Sequence, residues 1–274
     1  MLPAVSAAFP GMLTAVTTYL DRILAAHRRA AASDRRPVDS LIAQATAAPP
    51  TRGFRAALAS ASGLAVISEI KRRSPSKGDL NISLDPAALA ALYASGGASC
   101  LSVLTDVHFF GGSIDDLQHA RRACSMPVIR KDFTVSLQDV CDTRIIGADC
   151  VLLIAAALSG DELLDFHRLA VAIGLDVLVE VHDESELEAA MAAGATLIGV
   201  NQRDLVTFEV DHERAERMAT LIPDSAVKVA ESGVRDGDDA RRLYDAGYQA
   251  ILVGETLVTA TDPRSALLAL RGIH

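Results

Sequence analysis

What this chain lacks narrows its chemistry first. Its four cysteines, Cys100, Cys124, Cys141 and Cys150, form no CxxC pair and have no histidine nearby at metal-ligand spacing. Neither a metal site nor a redox motif is expected, and the thiols read as reduced core or near-core groups of a cytoplasmic protein. No apolar run approaches the roughly 20 residues that span a bilayer. Met1 to Met12 is apolar but has no basic leader and is broken by Pro3 and by Pro10-Gly11, which argues against a signal peptide. Positive charge is in deficit: a net charge of −9 and a pI near 5.2 leave no clustered Lys and Arg of the kind that holds nucleic acid, although an acidic protein can carry a locally basic anion pocket. The GxGxxG turn of dinucleotide-binding folds is also missing.

What is present is a profile of 50% hydrophobic and 22% charged residues over 274 positions, which gives a globular core large enough to need no staple. One large domain or two small ones would fit. The first dozen residues read as a frayed start. Thr17 to Ala30 then places Leu20, Ile23, Leu24 and His27 on one helical stripe that should lie against something larger. The nearby Arg28, Arg29, Arg35 and Arg36 read as a solvated helix end. Further helical pieces at Val38 to Ala47 and Gly53 to Ser60 precede any strand, so residues 1–63 form an N-terminal helical extension and 64–274 the main body of a single domain.

From Leu64 the pattern becomes short apolar runs alternating with helical spacing. The runs are Leu64 to Ile70, Cys100 to Leu104, Pro127 to Arg130, Cys150 to Ile154, Asp176 to Val181, Thr196 to Val200, Ala226 to Ala230 and Gln249 to Val253. Near-continuous apolar strands belong to a parallel sheet covered on both faces. Gly-Ala-type signals such as Gly147-Ala148 and Gly194-Ala195 close several helices just before the next strand. Eight such units predict an α/β protein, a (β/α)8 TIM barrel, with an open doubly wound sheet as the other arrangement.

In such a barrel the strands' C-terminal ends build the active site. Seven of the eight runs end in polar groups: Glu69 and Lys71; Thr105-Asp106; Arg130-Lys131-Asp132; Glu180 with His182; Asn201 with Arg203; Glu231-Ser232-Gly233; and Gly254-Glu255. Two lysines with several carboxylates form an acid/base set in which a carboxylate such as Glu180 would hold a proton and a lysine would lose one. Ser232-Gly233 and Gly254-Glu255 end strands 7 and 8, where these barrels hold phosphate with backbone N–H groups. The residues therefore predict proton-transfer chemistry on a phosphorylated small molecule without metal or redox cofactor. They do not name the substrate.

Eight motifs in order resemble indole-3-glycerol-phosphate synthase, a tryptophan-pathway family: EIKRRSPSKG (Glu69 to Gly78), LSVLTD with FFGGS (Leu101 to Ser113), PVIRKDF (Pro127 to Phe133), GADCVLLI (Gly147 to Ile154), LVEVH (Leu178 to His182), IGVNQRDL (Ile198 to Leu205), AESGV (Ala230 to Val234) and LVGETLV (Leu252 to Val258). The resemblance implies decarboxylating, dehydrating closure of the pyrrole ring of 1-(2-carboxyphenylamino)-1-deoxyribulose 5-phosphate. It implies Lys131 as general acid, Lys71 as holder of the anthranilate carboxylate and acid of a later step, Glu180 as the proton-transfer group of dehydration, and Glu69 as orienter of Lys71. The assignment of each lysine to a step stays open. By the same resemblance Asn201, Arg203, Glu231 and Ser232 position the ribulose chain, and Ser74, Gly233, Gly254 and Glu255 bind phosphate. Pro75, Phe110, Phe133 and Leu152 would wall the anthranilate ring. Gln202, where many members carry a second Asn, and Arg73, beside the serine motif, depart from the family. No cofactor, nucleic acid or membrane partner is implied, and a monomer or weak homo-oligomer is expected. Two alternatives remain. Another phosphate-binding barrel of the phosphoribosylanthranilate isomerase type would want a Cys/Asp pair at strand ends, whereas Cys100 and Cys150 sit at strand starts. A catalytically silent paralogue should have lost some of the acid/base residues, and all are present.

Overall fold

The computed structural model describes residues 18–272, so the reading of the first dozen residues lies outside the described part. Three helices come first: α1 (Tyr19–Ser33), α2 (Val38–Ala47) and α3 (Phe54–Ala59). Thr18 starts α1 with a capping box, its hydroxyl accepting the Asp21 N–H while the Asp21 carboxylate accepts the Thr18 N–H. Eight parallel strands follow: β1 (Ala65–Ile70), β2 (Cys100–Leu104), β3 (Val128–Lys131), β4 (Cys150–Ile154), β5 (Asp176–Val181), β6 (Leu197–Asn201), β7 (Val227–Glu231) and β8 (Ala250–Val253). They close into a barrel in which each strand pairs with its chain neighbours and β1 pairs with β8. A closed ring removes the doubly wound alternative. Between strands run α4 (Pro86–Ser95), α5 (Ile114–Ala123), α6 (Leu137–Ile145), α7 (Gly160–Ala172), α8 (Glu184–Ala192), α9 (Arg214–Ala219) and α10 (Gly237–Asp245), and the chain ends in α11 (Glu255–Val258) and α12 (Pro263–Leu270).

The helix stops read from sequence have the expected conformation. Gly147 and Gly194 adopt φ of 95° and 88°, left-handed values open to glycine without strain, and each donates its N–H back to the ending helix. Strands β3, β6 and β7 each run one residue past the apolar stretch and so take in Lys131, Asn201 and Glu231.

Two apolar clusters follow from strand alternation. Residues such as Val66, Leu101, Val151 and Ile251 face outward against the helices. Ile67, Ile129, Leu178, Val229 and Leu252 fill the barrel interior together with Phe54 and Leu58 of α3, which are 0% and 1% exposed. The extension therefore plugs one end of the barrel. Asp149 and Asp176, beside the starts of β4 and β5, accept the backbone N–H groups of Arg52 and Arg55 at 2.8 and 2.9 Å and hold the plug in place. The arginines after α1's apolar stripe do more than solvate a helix end, which corrects the earlier expectation for two of them. Arg28 pairs with Glu162 of α7, and Arg36 bridges Asp34 and Asp142 of α6, tying the extension to the barrel wall. No described helix is long and apolar enough to cross a membrane.

Candidate active site

Moving up each strand by two residues from the apolar interior reaches the ionic groups: Ile67 is followed by Glu69, Ile129 by Lys131, Leu178 by Glu180, and Val229 by Glu231. The site is the next inward-facing layer of the barrel core, built with charges. At its centre Lys131 Nζ donates to Glu180 Oε2 at 2.6 Å and to Glu231 Oε2 at 2.8 Å. Asn201 Nδ2 donates to the other Glu180 oxygen at 3.0 Å, and Asn201 Oδ1 accepts the Arg203 N–H. A separate pair lies nearby, Lys71 Nζ to Glu69 Oε1 at 2.6 Å, with the Ser102 hydroxyl donating to Glu69 Oε2. Two glycines make room: a Cβ at Gly199 would collide with Glu231 Oε1, and one at Gly254 with Glu69 Oε1.

The electrostatics of the triad correct the sequence reading. Burial opposes the charge on Lys131, but attraction to Glu180, Glu231 and Glu69 outweighs it and raises the lysine pKa above its usual value. Burial also works against an ionised Glu180, yet Lys131, His182 and the Asn201 amide draw it below the normal carboxylate range. The carboxyl pushed upward is the other one: burial and the Glu180 charge raise Glu231 to about 7 against the pull of Lys131. These shifts run against the sequence expectation: Lys131 is favoured as the cation, and Glu231 rather than Glu180 is the carboxyl whose hold on a proton is strengthened.

A cavity of about 740 Å³ opens above these groups. Glu69, Lys71, Lys131, Asn201, Arg203 and Glu231 line it, as do Ser74, Pro75, Ser232, Gly233, Gly254 and Glu255. Glu180 does not, and reaches the cavity only through Lys131 and Asn201. Ser232 and Gly233 have successive φ values of 65° and 75°, left-handed values that only the glycine adopts without strain, in the wall of the cavity. A left-handed serine stores strain, and Gln202 pins it by donating from Nε2 to the Ser232 carbonyl at 2.8 Å. Arg73 pairs with Asp79 across a two-residue hairpin in the first loop, while Lys77 from that loop reaches Glu255 Oε1 at 3.7 Å.

Phe110, Phe133 and Leu152 are not brought to this cavity. Leu152 registers opposite Leu178, two residues below Glu180, and is 2% exposed, because the stagger of the barrel leaves Ile154 opposite Glu180. Phe110 and Phe133 pack on each other, centroids 6.2 Å apart, and the ring of His27 from α1 lies 5.4 Å from Phe133. His27 Nε2 is also 3.0 Å from Asp106 Oδ2, while Asp106 Oδ1 accepts the N–H groups of Phe109 and Phe110. Sequence spacing found the His27 stripe but not its partner. Phe208 and His212 of the loop after β6 also line the cavity, and no motif marked them.

The family model for indole-3-glycerol phosphate synthase matches residues 20–270. This chain belongs to that family. The indole-3-glycerol phosphate synthase of Nocardioides sp. (strain ATCC BAA-499 / JS614) is 50% identical over 225 residues, 82% of this chain and 85% of that protein. Among solved structures, the thiamine phosphate pyrophosphorylase from Pyrococcus furiosus superposes with a TM-score of 0.57 at 19% identity, covering 76% of this chain and 94% of that one. The N-acetylmannosamine-6-phosphate 2-epimerase from Clostridium perfringens gives 0.56 at 13%, covering 74% and 90%. At these identities the two structures speak for the barrel alone. Family membership makes the chain a carboxy-lyase of tryptophan biosynthesis.

Proposed function

We propose that this member of the family closes the pyrrole ring of 1-(2-carboxyphenylamino)-1-deoxyribulose 5-phosphate with loss of CO2 and water, in the cytoplasm, without cofactor, acting on no nucleic acid. The observation that carries the reading is Lys131 held between the carboxyl groups of Glu180 and Glu231 beneath a cavity with a left-handed Ser232-Gly233 turn in its wall. The substrate's phosphate sits at Ser232-Gly233 and Gly254-Glu255, with Ser74 closing from the first loop. Its ribulose chain runs past Asn201 and Arg203 toward Lys131. Lys71, oriented by Glu69, holds the anthranilate carboxylate, and Pro75 covers the ring on one side. Phe110 and Phe133 meet the ring once the first two loops close, and Leu152 supports that wall from below.

The chemistry follows from these placements. As the aromatic carbon attacks the ribulose carbonyl, Lys131 gives its proton to the developing oxyanion, and its charge stabilises that oxygen in a water-poor site. The carboxylate then leaves as CO2, which restores the aromatic ring. Glu231, whose pKa of about 7 lets it carry a proton, replaces the one Lys131 has lost. Lys71 then gives a proton to the new hydroxyl, which departs as water, and ionised Glu180 takes up the proton lost from the neighbouring carbon. Incubating the purified protein with this substrate should give the fluorescence of an indole product. Lys131→Ala should lower turnover by about 10²- to 10⁴-fold with a native circular dichroism spectrum. A folded wild-type protein giving no indole fluorescence would exclude the function, and near-normal turnover by the variant would exclude the acid role.

A further inference from the structure

Beyond Glu180 the line of charges continues into side chains that the proposed chemistry leaves unused. His182 follows Glu180 by two residues, so both leave the end of β5 on the same face. Its Nδ1 lies 3.0 Å from Glu186 Oε2, and the same oxygen accepts the His182 backbone N–H at 2.8 Å. Glu186 stands in the first turn of α8, where the Asp183 cap accepts its N–H at 2.9 Å. The other ring nitrogen, Nε2, is buried, has no hydrogen-bond partner among the described residues, and stands 3.6 Å from Glu180 Oε1.

Only two forms of the ring can donate from Nδ1 to Glu186. The neutral form would aim the Nε2 lone pair at the Glu180 carboxylate, whereas the imidazolium presents an N–H to it. Two carboxylates on opposite sides of one buried ring therefore select the cation. The remaining charged neighbours do not reverse this. Asp183, Glu184 and Asp211 share a cleft of about 440 Å³ with His182, and so do Arg214 and Arg217. Arg214 is turned to the Asn201 carbonyl at 2.9 Å, and Arg217 is paired with Asp211. Burial lowers the His182 pKa, but Glu186 and Glu180 overcome it and the net direction is upward.

We infer that His182 is a positioning residue for the ring closure: held as an imidazolium by Glu186, it keeps Glu180 ionised and fixed against Lys131 and Asn201, so that the proton of the triad resides on Glu231. The two carboxylates differ in this respect. Both Glu180 oxygens have partners, on Asn201 and Lys131, while Glu231 Oε1 has none among the described residues. The inference rests on the proposed role of Glu180, and the test separates the two.

In the full-length enzyme, His182→Gln removes the cation and retains a polar side chain. Without it Glu180 is harder to ionise, so the acidic limb of the kcat/KM profile moves to higher pH by about one unit, with KM at neutral pH within about twofold of wild type. Glu186→Gln keeps an acceptor for the ring but removes the charge. It moves the limb the same way by less, and it stands in if His182→Gln fails to fold. Nitrogen NMR of the wild-type ring gives a readout independent of turnover, with both nitrogens in the imidazolium range at about pH 7. A wild type without activity removes the proposed function while the ring signals still report the charge on His182. A neutral ring at about pH 6, or an acidic limb unmoved in both variants of an active enzyme, overturns the inference.

Discussion

Glu180 and Glu231 share one lysine and yet their hold on a proton shifts in opposite directions, which makes Glu231 a residue whose charge can be read in stability as well as activity. Its pKa is raised to about 7 from an ordinary value near 4.5, because burial and the Glu180 charge outweigh Lys131. Between those pH values the folded protein holds a proton that the unfolded chain has lost, so folding stability falls as pH rises through the window, by at most about 1.4 kcal/mol per pH unit. Glu180, held below its ordinary value, acts in the other direction, but only at lower pH. Glu231→Gln should therefore gain stability relative to wild type as pH rises from about 4.5 to about 7, measured by denaturant midpoints across that range. Parallel stability curves for the two proteins would rule out a raised Glu231. The strand-end rule picked out both carboxylates from the sequence. It had no means of telling them apart, because their difference comes from contacts with Lys131 across 49 and 100 residues of chain and from His182.

Among the elements, α3 does most to join the extension to the barrel. Phe54 and Leu58 complete the interior cluster at the end remote from the charged layer, and the chain reaches them through backbone N–H groups donated to Asp149 and Asp176. Truncating a fully buried phenylalanine removes its transfer energy and leaves a cavity that rigid strands cannot close. Phe54→Ala should cost about 3–5 kcal/mol. In thermal unfolding this appears as a drop of roughly 10 °C, while turnover at a permissive temperature stays within about twofold because no group of the charged layer moves. A large loss of turnover with little change in melting would show that α3 shapes the site. Strand and helix limits were legible because apolar runs and Gly-Ala stops repeat along the chain. The depth of Leu152 was not, since a strand's alternation tells which residues point inward but the stagger between strands decides which layer each one joins. The tethers of Arg28 and Arg36 escaped for a similar reason, their acidic partners lying on α7 and α6.

At the scale of the whole molecule, this chain supplies every group of the charged layer described above, from the ends of β1, β3, β5, β6 and β7. The large apolar side chains that are exposed are spread over five helices, with Leu92 on α4, Ile114 on α5, Val171 on α7, Met191 on α8 and Tyr244 on α10, and over the loops that carry Ile82, Val107, Val206 and Leu221. Stable protein–protein interfaces bury about 1,200 Å² or more of total surface around an apolar core, and scattered single residues do not supply such a core. The net charge of −9 adds mutual repulsion between copies at low salt. We therefore expect a single-domain monomer that sediments as one species of 28.8 kDa at micromolar concentration with unchanged specific activity on dilution. A species of twice that mass, or activity that falls on dilution, would mean that one of these faces pairs with another copy and that the site depends on it.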